Sequence, residues 1–223
     1  EVVLAEVVAM GYDYVLITDH TKGLRFGGLD EERLSLQRQS IDAVRDRFPD
    51  LTVLHGAELN VDRTGDLDIG DEALALLDLV VVGLHSNFDL DRAEQTARVL
   101  TVLEHPAVRV LAHPTGRRIG IRPAIDVDLD AVIDSTIEHR VALEVNGHRD
   151  RLDLSAPLAA RAVEAGALLA ANSDAHRVGE LANVANSVGT MQKGGVRPGS
   201  VVNALPVEQF VKWAKMHQGF SHD

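Results

Sequence analysis

Residues 79–86 read Leu-Val-Val-Val-Gly-Leu-His-Ser, a short apolar run that leads directly into a histidine. The run is continuous rather than alternating, which is typical of a strand buried on both faces of a parallel sheet. Similar runs recur, and they predict strands at 14–18, 51–57, 79–84, 108–112, 141–145 and 168–171. Helical periodicity between these runs predicts helices at 30–47, 70–77, 90–104, 128–139, 156–165 and 207–217. The chain therefore alternates strand and helix.

The alternation favours one α/β domain over residues 1–223, because no linker or low-complexity tract divides the chain. A closed parallel barrel hides strand edges better than an open sheet of this size, although a doubly wound sheet remains an alternative. The chain opens at Glu1 inside a helical pattern that ends at Gly11. We therefore expect a TIM-like barrel whose first strand lies upstream of this sequence.

Composition narrows the classes of function. Lys+Arg number 22 against Asp+Glu 34, and this net charge of −12 argues against tight non-specific binding of nucleic acid by this domain alone. The absence of cysteine excludes disulfides and thiolate metal sites, which leaves His, Asp and Glu as metal ligands. No apolar stretch has the length of a membrane span and no signal peptide opens the sequence, so we expect no membrane partner and a cytoplasmic location.

Nearly every predicted strand ends at a residue that can bind a metal ion. In a parallel barrel all carboxyl ends of strands lie on one rim, so residues far apart in sequence converge there. Any one of these residues alone is more often a hydrogen-bonded core or rim residue, but the set at equivalent positions indicates a metal site. Its predicted ligands are His20, Glu58, His85, His113, Asp174 and His176. Because one catalytic zinc usually has three protein ligands, the set implies two or three divalent ions, Mn²⁺, Zn²⁺ or Mg²⁺.

Serine chemistry is the competing reading of this site. Ser86 and Ser173 lie near histidines, but neither occurs in the Gly-x-Ser-x-Gly turn that exposes a nucleophile. Metal-dependent chemistry is therefore favoured.

The strand-end peptides resemble motifs of the polymerase and histidinol phosphatase (PHP) family over essentially the whole chain. They are Thr18-Asp19-His20, Gly56-Ala57-Glu58, Leu84-His85-Ser86, Ala112-His113-Pro114 and Ser173-Asp174-Ala175-His176. The resemblance implies a distorted (β/α)₇ barrel with up to three metal ions held by the six residues named above. It also implies a first strand with a His-x-His motif and a further histidine in the next loop. The sequence begins at Glu1 and does not contain this motif or that histidine, so we do not expect a complete three-metal site from this sequence alone.

Further peptides resemble the C-terminal PHP domain of bacterial X-family DNA polymerases, a 3′-5′ exonuclease and phosphatase module. They are 113–117 with 122–123, 143–146 with 151–154, and 203–206. The resemblance implies a metal-dependent phosphoesterase that acts on a DNA 3′ end, with a polymerase-like domain upstream. The alternatives are a phosphatase of small phosphomonoesters such as histidinol phosphate, and a metal-stabilised structural module without turnover.

Roles within this scheme follow from residue type and position. We expect Asp19, Glu58 and His85 to be catalytic, with Glu58 bridging two cations and Asp19 orienting an imidazole. Arg117 and Arg122, in a loop punctuated by glycine, are predicted to bind the substrate phosphate, and His148 to contact substrate.

Overall fold

A single sheet of six parallel strands organises the protein in a computed structural model that describes residues 1–24 and 27–215. The strands are β1 (Tyr14–His20), β2 (Thr52–Asn60), β3 (Leu79–Gly83), β4 (Val108–Leu111), β5 (Ala142–Asn146) and β6 (Leu168–Asn172). Each strand pairs with its sequence neighbour in the order β1 to β6, and the sheet curls into a half-barrel. A doubly wound sheet reverses its strand order near the middle. The continuous order confirms the α/β barrel architecture.

Eight α-helices lie before, between and after the strands within the described residues. They are α1 (Val2–Ala9), α2 (Glu31–Arg45), α3 (Asp71–Leu74), α4 (Arg92–Leu103), α5 (Leu129–Glu138), α6 (Ala156–Ala165), α7 (Val184–Lys193) and α8 (Val207–Lys215). Asp30, Asp91 and Asp128 begin α2, α4 and α5, and each carboxylate accepts a backbone N–H three residues later. None of the helices in residues 1–24 and 27–215 is long and apolar enough to cross a membrane.

One predicted helix is shorter than expected, and one observed helix was not predicted. The predicted end of the last helix, at residue 217, lies outside the described residues. Helix α3 spans four residues instead of 70–77, because the chain continues from it in three-residue turns, with Leu77 N–H donating to the Leu74 carbonyl. Helix α7 and the 3₁₀ turn Val178–Asn183 before it were not predicted. The α7 sequence contains glycine, serine and asparagine, which form helices poorly, and it is stabilised by packing of Ser187 and Met191 into the core.

The two faces of the sheet bury different apolar clusters. The outer face packs against the helices, through residues such as Leu59, Val82 and Leu143. The inner face contributes Leu54, Leu79, Val81, Val110, Ala142 and Ala170, which pack with Phe210 and Trp213 of α8. Most of these inner residues lie near the amino ends of their strands. Helix α8 therefore covers the amino end of the half-barrel and leaves the carboxyl end for polar side chains.

A buried arginine ties two strand ends together below this polar rim. Arg98 on α4 is 1% exposed and donates to the carbonyls of Val61, Asp62 and Ser86. These carbonyls belong to the segments that follow β2 and β3, so Arg98 fixes the path of the chain beyond Glu58 and His85.

Replacing Arg98 with methionine is expected to lower the free energy of unfolding by about 3 kcal/mol, because three buried carbonyls would lose their donor. Arg92→Met is the matched control on the same helix. Arg92 is exposed and pairs with Asp126 and Asp128, so its loss should cost less than about 1 kcal/mol. Urea denaturation of both variants measures the difference, and equal losses would show that Arg98 is not a structural tie.

Candidate metal centre

The pleat of β1 and β2 brings the first two predicted ligands side by side. His20 is in register with Glu58, and both side chains point to the inner face at the carboxyl ends of their strands. The apolar residues Leu16 and Leu54 lie on the same face, each two repeats of the strand's two-residue period before the ligand. A polar site is thereby placed directly above the apolar interior.

Glu58 is the centre of the cluster. Its Oε1 lies 2.9 Å from His113 Nε2 and 3.1 Å from His85 Nε2, and its Oε2 lies 3.8 Å from His20 Nδ1. The His20 and His85 rings are 4.8 Å apart, and the His85 and His113 rings 5.2 Å apart. Donor atoms of His20, Glu58 and His85 all lie within 4.8 Å of one another, so these three side chains could hold one cation.

The side chains of this cluster fit a divalent cation. Among the described residues, buried nitrogens of His20, His85 and His113 have no hydrogen-bond partner. Buried polar atoms are normally satisfied, so unpartnered imidazole nitrogens around a carboxylate are suited to metal coordination. Gly83 lines the same space, where a Cβ atom would lie 2.5 Å from Glu58 Oε1 and from His85 Cε1.

The metal-free cluster combines an ionised carboxylate with a neutral His20 and a His113 that favours its protonated form. Burial lowers the pKa of His20, which outweighs the opposing effect of Glu58. Burial alone would raise the pKa of Glu58, but hydrogen bonds from His113 and His85 hold it well below its usual value. Burial would lower the pKa of His113, yet its hydrogen bond to Glu58 raises it. In the absence of a cation, the two pKa shifts therefore place the proton on His113 and leave Glu58 ionised.

A second carboxylate, Glu144, supports the turn that carries His113. Its Oε2 accepts the His113 backbone N–H at 2.6 Å and the Asn146 side-chain amide at 2.9 Å, and its Oε1 accepts Asn172 Nδ2 at 2.8 Å. His113 has a φ of +31°, a left-handed conformation that is uncommon for a residue with a side chain. Glu144 therefore holds the ligand in a backbone conformation that it would rarely adopt alone.

The last two predicted ligands lie beside this cluster. Asp174 Oδ2 accepts Asn146 Nδ2 at 2.9 Å and lies 3.1 Å from Arg151 Nε. His176 Nδ1 is 3.7 Å from Asp174 Oδ1, and its ring is 5.9 Å from that of His20. The His148 ring lies 6.2 Å from the His176 ring. All six predicted ligands and His148 therefore meet at the carboxyl rim, where a cavity of about 640 Å³ opens beside His20 and Asp174.

The structure does not support the role predicted for Asp19. Successive side chains of a strand point to opposite faces, so Asp19 faces the helices while His20 faces the site. Its Oδ2 accepts Gln37 Nε2 of α2 at 2.5 Å, and the side chain is exposed. In this position Asp19 contacts α2, and its role in catalysis stays a prediction.

Arg117 and Arg122 are engaged by the backbone of their own rim. Arg117 donates to the carbonyls of Arg151 and Leu152. Arg122 donates to the Gly116 carbonyl, and its guanidinium lies 3.4 Å from the centre of the Phe88 ring. Their binding of substrate phosphate stays a prediction, and the geometry favours a role in holding the loop.

The sequence analysis assigned no site role to four residues near the cluster, namely Glu144, Asn146, Asn172 and Arg151. The first three lie on inner-facing positions at the ends of β5 and β6, so strand parity could have identified them. Arg151 follows β5 in a loop, and no pattern signals that its side chain turns inward to Asp174.

The stability of the metal-free protein is expected to fall between about pH 5 and pH 8. Burial, with the charges of Asp174 and Glu58, raises the pKa of Glu144 to about 7. Because the folded pKa lies above the unfolded value near 4.5, Glu144 contributes most to the free energy of unfolding below pH 4.5. This contribution is lost as pH rises through 7, and the loss is on the order of 3 kcal/mol. His113 adds a loss in the same direction above its usual value of 6.5. The lowered pKa of Glu58 acts only at lower pH. The lowered pKa values of His20, His55 and His105 act in the opposite direction up to pH 6.5 and offset part of the loss, so the fall should be steepest above that pH.

Chemical denaturation in a chelator, compared with denaturation in Mn²⁺, measures this effect. The cation should restore stability most at pH 8, where the carboxylates are ionised. A metal-free protein that grows more stable up to pH 8 would contradict the charge assignment.

Comparisons with known proteins are consistent with this site. The DNA polymerase/3′-5′ exonuclease PolX of Bacillus subtilis is 36% identical over 209 residues, which cover 92% of this chain and 37% of that protein. A probable phosphatase of Edwardsiella ictaluri is 29% identical over 163 residues, which cover 69% of this chain and 64% of that protein. This chain thus spans less than two thirds of the length of either relative. No protein-family model matches the chain.

One solved structure shares the fold. Histidinol phosphate phosphatase of Lactococcus lactis, complexed with zinc, L-histidinol and phosphate, superposes with a TM-score of 0.64 at 16% identity. The match covers 88% of this chain and 87% of that protein.

Proposed function

Because this chain belongs to the polymerase and histidinol phosphatase (PHP) family, we propose that it is a divalent-cation-dependent phosphoesterase. The observation that carries the proposal is the convergence of His20, His85 and His113 on the buried carboxylate of Glu58, with imidazole nitrogens left unpartnered. Such a donor set is unusual in a site that serves only packing.

His20, Glu58, His85 and His113 would hold the main cation cluster, with Asp174 and His176 on its open side. Two or three ions of Mn²⁺, Zn²⁺ or Mg²⁺ suit this mixture of imidazole and carboxylate. Bound divalent cations supply positive charge at phosphorus and lower the pKa of the attacking water. Glu58 keeps a negative charge at the centre of the cluster, while Glu144 and the two asparagines fix the His113 turn.

Arg151 is the residue best placed to bind the phosphate of a substrate. Its Nε is 3.1 Å from Asp174, and its Nη1 is buried without a hydrogen-bond partner in the described chain. A guanidinium with a free N–H beside the cation site matches the geometry of a phosphate oxygen.

Arg151→Gln is expected to raise KM for p-nitrophenyl phosphate by about tenfold or more, because a charge-assisted hydrogen bond is lost. Bound metal should change little, since Arg151 is not a ligand. Arg161→Gln is the control, because Arg161 is exposed on α6 and pairs only with Asp130. An unchanged KM with a lost cation would instead assign Arg151 to support of Asp174.

The preferred substrate is the 3′ end of DNA, with removal of a nucleotide or a 3′-phosphate. Support comes from the relative in Bacillus subtilis, which is similar to 92% of the length of this chain. This domain has a net charge of −12, which repels the phosphates of DNA. A polymerase-like region upstream would supply additional binding of DNA. The fold shared with histidinol phosphate phosphatase keeps a small phosphomonoester as the second candidate.

Assays of the chain with each cation on a 3′-phosphorylated oligonucleotide, a 3′-hydroxyl oligonucleotide and histidinol phosphate separate these candidates. Faster turnover per enzyme on either oligonucleotide supports the preferred substrate. Turnover confined to histidinol phosphate would favour the small-molecule phosphatase. Tight metal binding with no hydrolysis of any ester, even in a form extended by an upstream strand, would favour the structural module and overturn the proposal.

A further inference from the structure

Two neighbouring loops form a basic rim on an otherwise acidic molecule. The loops after β4 and β5 carry five arginines, Arg117, Arg118, Arg122, Arg149 and Arg151, against four aspartates, Asp126, Asp128, Asp150 and Asp153, whereas the whole chain has a net charge of −12. Both loops leave carboxyl ends of strands, so this rim borders the candidate metal centre. Arg117, Arg118, Arg122 and Arg151 already have partners within the described residues, which leaves Arg149 as the arginine of this rim available to an anionic partner.

The first of these loops is a preformed hairpin. Arg118 and Arg122 exchange two backbone hydrogen bonds of 2.8 Å, which define a rim hairpin of residues 117–122. Ile119 N–H donates to the Asp150 carbonyl at 2.6 Å, and Arg118 Nη2 lies 3.1 Å from Asp150 Oδ2. Arg122 is packed on Phe88. The hairpin is thus fixed to both the second loop and the body of the protein.

The tip of the rim hairpin is apolar and open to solvent. Ile119 is 50% exposed and Ile121 is 67% exposed, on either side of Gly120, which has a φ of +73°. Arg149 on the second loop is exposed and has no ion pair or hydrogen bond within residues 1–24 and 27–215. The backbone hydrogen bond from Ile119 to Asp150 brings the loop segment that carries Arg149 beside the apolar tip.

We propose that the rim hairpin and Arg149 bind the nucleic-acid strand that leads to the scissile 3′ end. Ile119 and Ile121 pack against the terminal bases, as isoleucine does when it wedges between base steps, and Arg149 pairs with a backbone phosphate. This inference rests on the proposed phosphoesterase function and assigns a binding surface to its substrate. Charge complementarity favours nucleic acid as the occupant. A nucleic-acid strand offers both a phosphate for the unpaired Arg149 and bases for the apolar tip, beside a phosphoesterase site.

Methyl NMR of the chain with labelled isoleucine tests the surface directly. Addition of a single-stranded oligonucleotide at low salt should shift the methyl signals of Ile119 and Ile121. Ile137 serves as the internal control, since it is also exposed, at 37%, but lies on α5 away from the rim. Inorganic phosphate should leave all three methyl signals in place, because the hairpin recognises bases.

Variants give the quantitative arm of the test. The double variant Ile119→Ser and Ile121→Ser should weaken oligonucleotide binding on the order of tenfold. Arg149→Gln should weaken binding and reduce the slope of log affinity against log salt by about one. Ile137→Ser and Arg161→Gln are the matched controls and should bind like the parent chain.

Binding that is unaffected by the rim variants, or methyl shifts equal at Ile119 and Ile137, would overturn the proposal. Hydrolysis of p-nitrophenyl phosphate by the parent chain is a separate measurement. If the chain binds the oligonucleotide at the rim but hydrolyses no ester, the phosphoesterase function fails while the surface stands. If it hydrolyses esters and the rim variants bind normally, the surface fails alone.

Discussion

Glu58→Gln is expected to abolish phosphoester hydrolysis and to release the bound cation. The substitution keeps the shape of the side chain but removes the negative charge on which His20, His85 and His113 converge. Loss of a residue that merely orients a metal ligand typically costs 10–100-fold in affinity or activity, so loss of the central carboxylate should exceed about 100-fold. The effect should appear on every substrate, because all of them use the same cation cluster.

Metal content and turnover must be measured on the same sample to test this prediction. Glu164→Gln is the control, since Glu164 is exposed on α6 and far from the rim. The His113 pKa is an independent readout in the metal-free protein. It should fall when the Glu58 charge is removed, because that charge and its hydrogen bond raise it. A Glu58→Gln variant that keeps its cation and activity within about tenfold would exclude Glu58 as a ligand.

Extension of the chain by a strand that bears a His-x-His motif is expected to raise kcat/KM by about 100-fold or more. Within the described residues β1 pairs only with β2 and no strand joins β1 to β6, so an edge is available next to His20. The cavity at that edge is lined by inner-facing residues of β1 and β6, including Tyr14, Leu16 and Ala170. Two added imidazoles there would complete the coordination of a cation near His20.

The control for the extension carries alanine in place of both histidines. It should restore strand pairing and stability without the gain in activity, which separates coordination from folding. Equal activity with and without the histidines would show that the six ligands in this chain already form a sufficient site.

The strands were predictable because burial on both faces leaves a strong signal. All six predicted strands agree with the observed ones to within about three residues at each end, as in the run that begins at Leu79 and leads to His85. Their parallel order also predicts that the six candidate ligands lie on one rim. Helix α7 escaped prediction because its stability comes from burial of Ser187 and Met191, which local propensity does not encode.

Finer features of the site depend on the direction of individual side chains. The sequence places Asp19 next to His20, and only the pleat of β1 reveals that the two residues face opposite sides of the sheet. Arg151 and Arg117 are both arginines in loops that follow strands. The Arg151 side chain turns towards Asp174, whereas Arg117 donates to backbone carbonyls. Such choices arise from tertiary packing.

The placement of α8 has a consequence for the order in which this protein folds. The Tyr14 hydroxyl donates to the Leu205 carbonyl at 3.0 Å across a separation of 191 residues, and Arg109 donates to the Ala214 carbonyl across 105 residues. Contacts between such distant parts of the chain form late, because they close long loops. On a ribosome, every candidate ligand from His20 to His176 would emerge before the helix that covers the amino end of the half-barrel. The candidate metal centre and α8 lie at opposite ends of the half-barrel, so the ligands can be assembled before α8 docks.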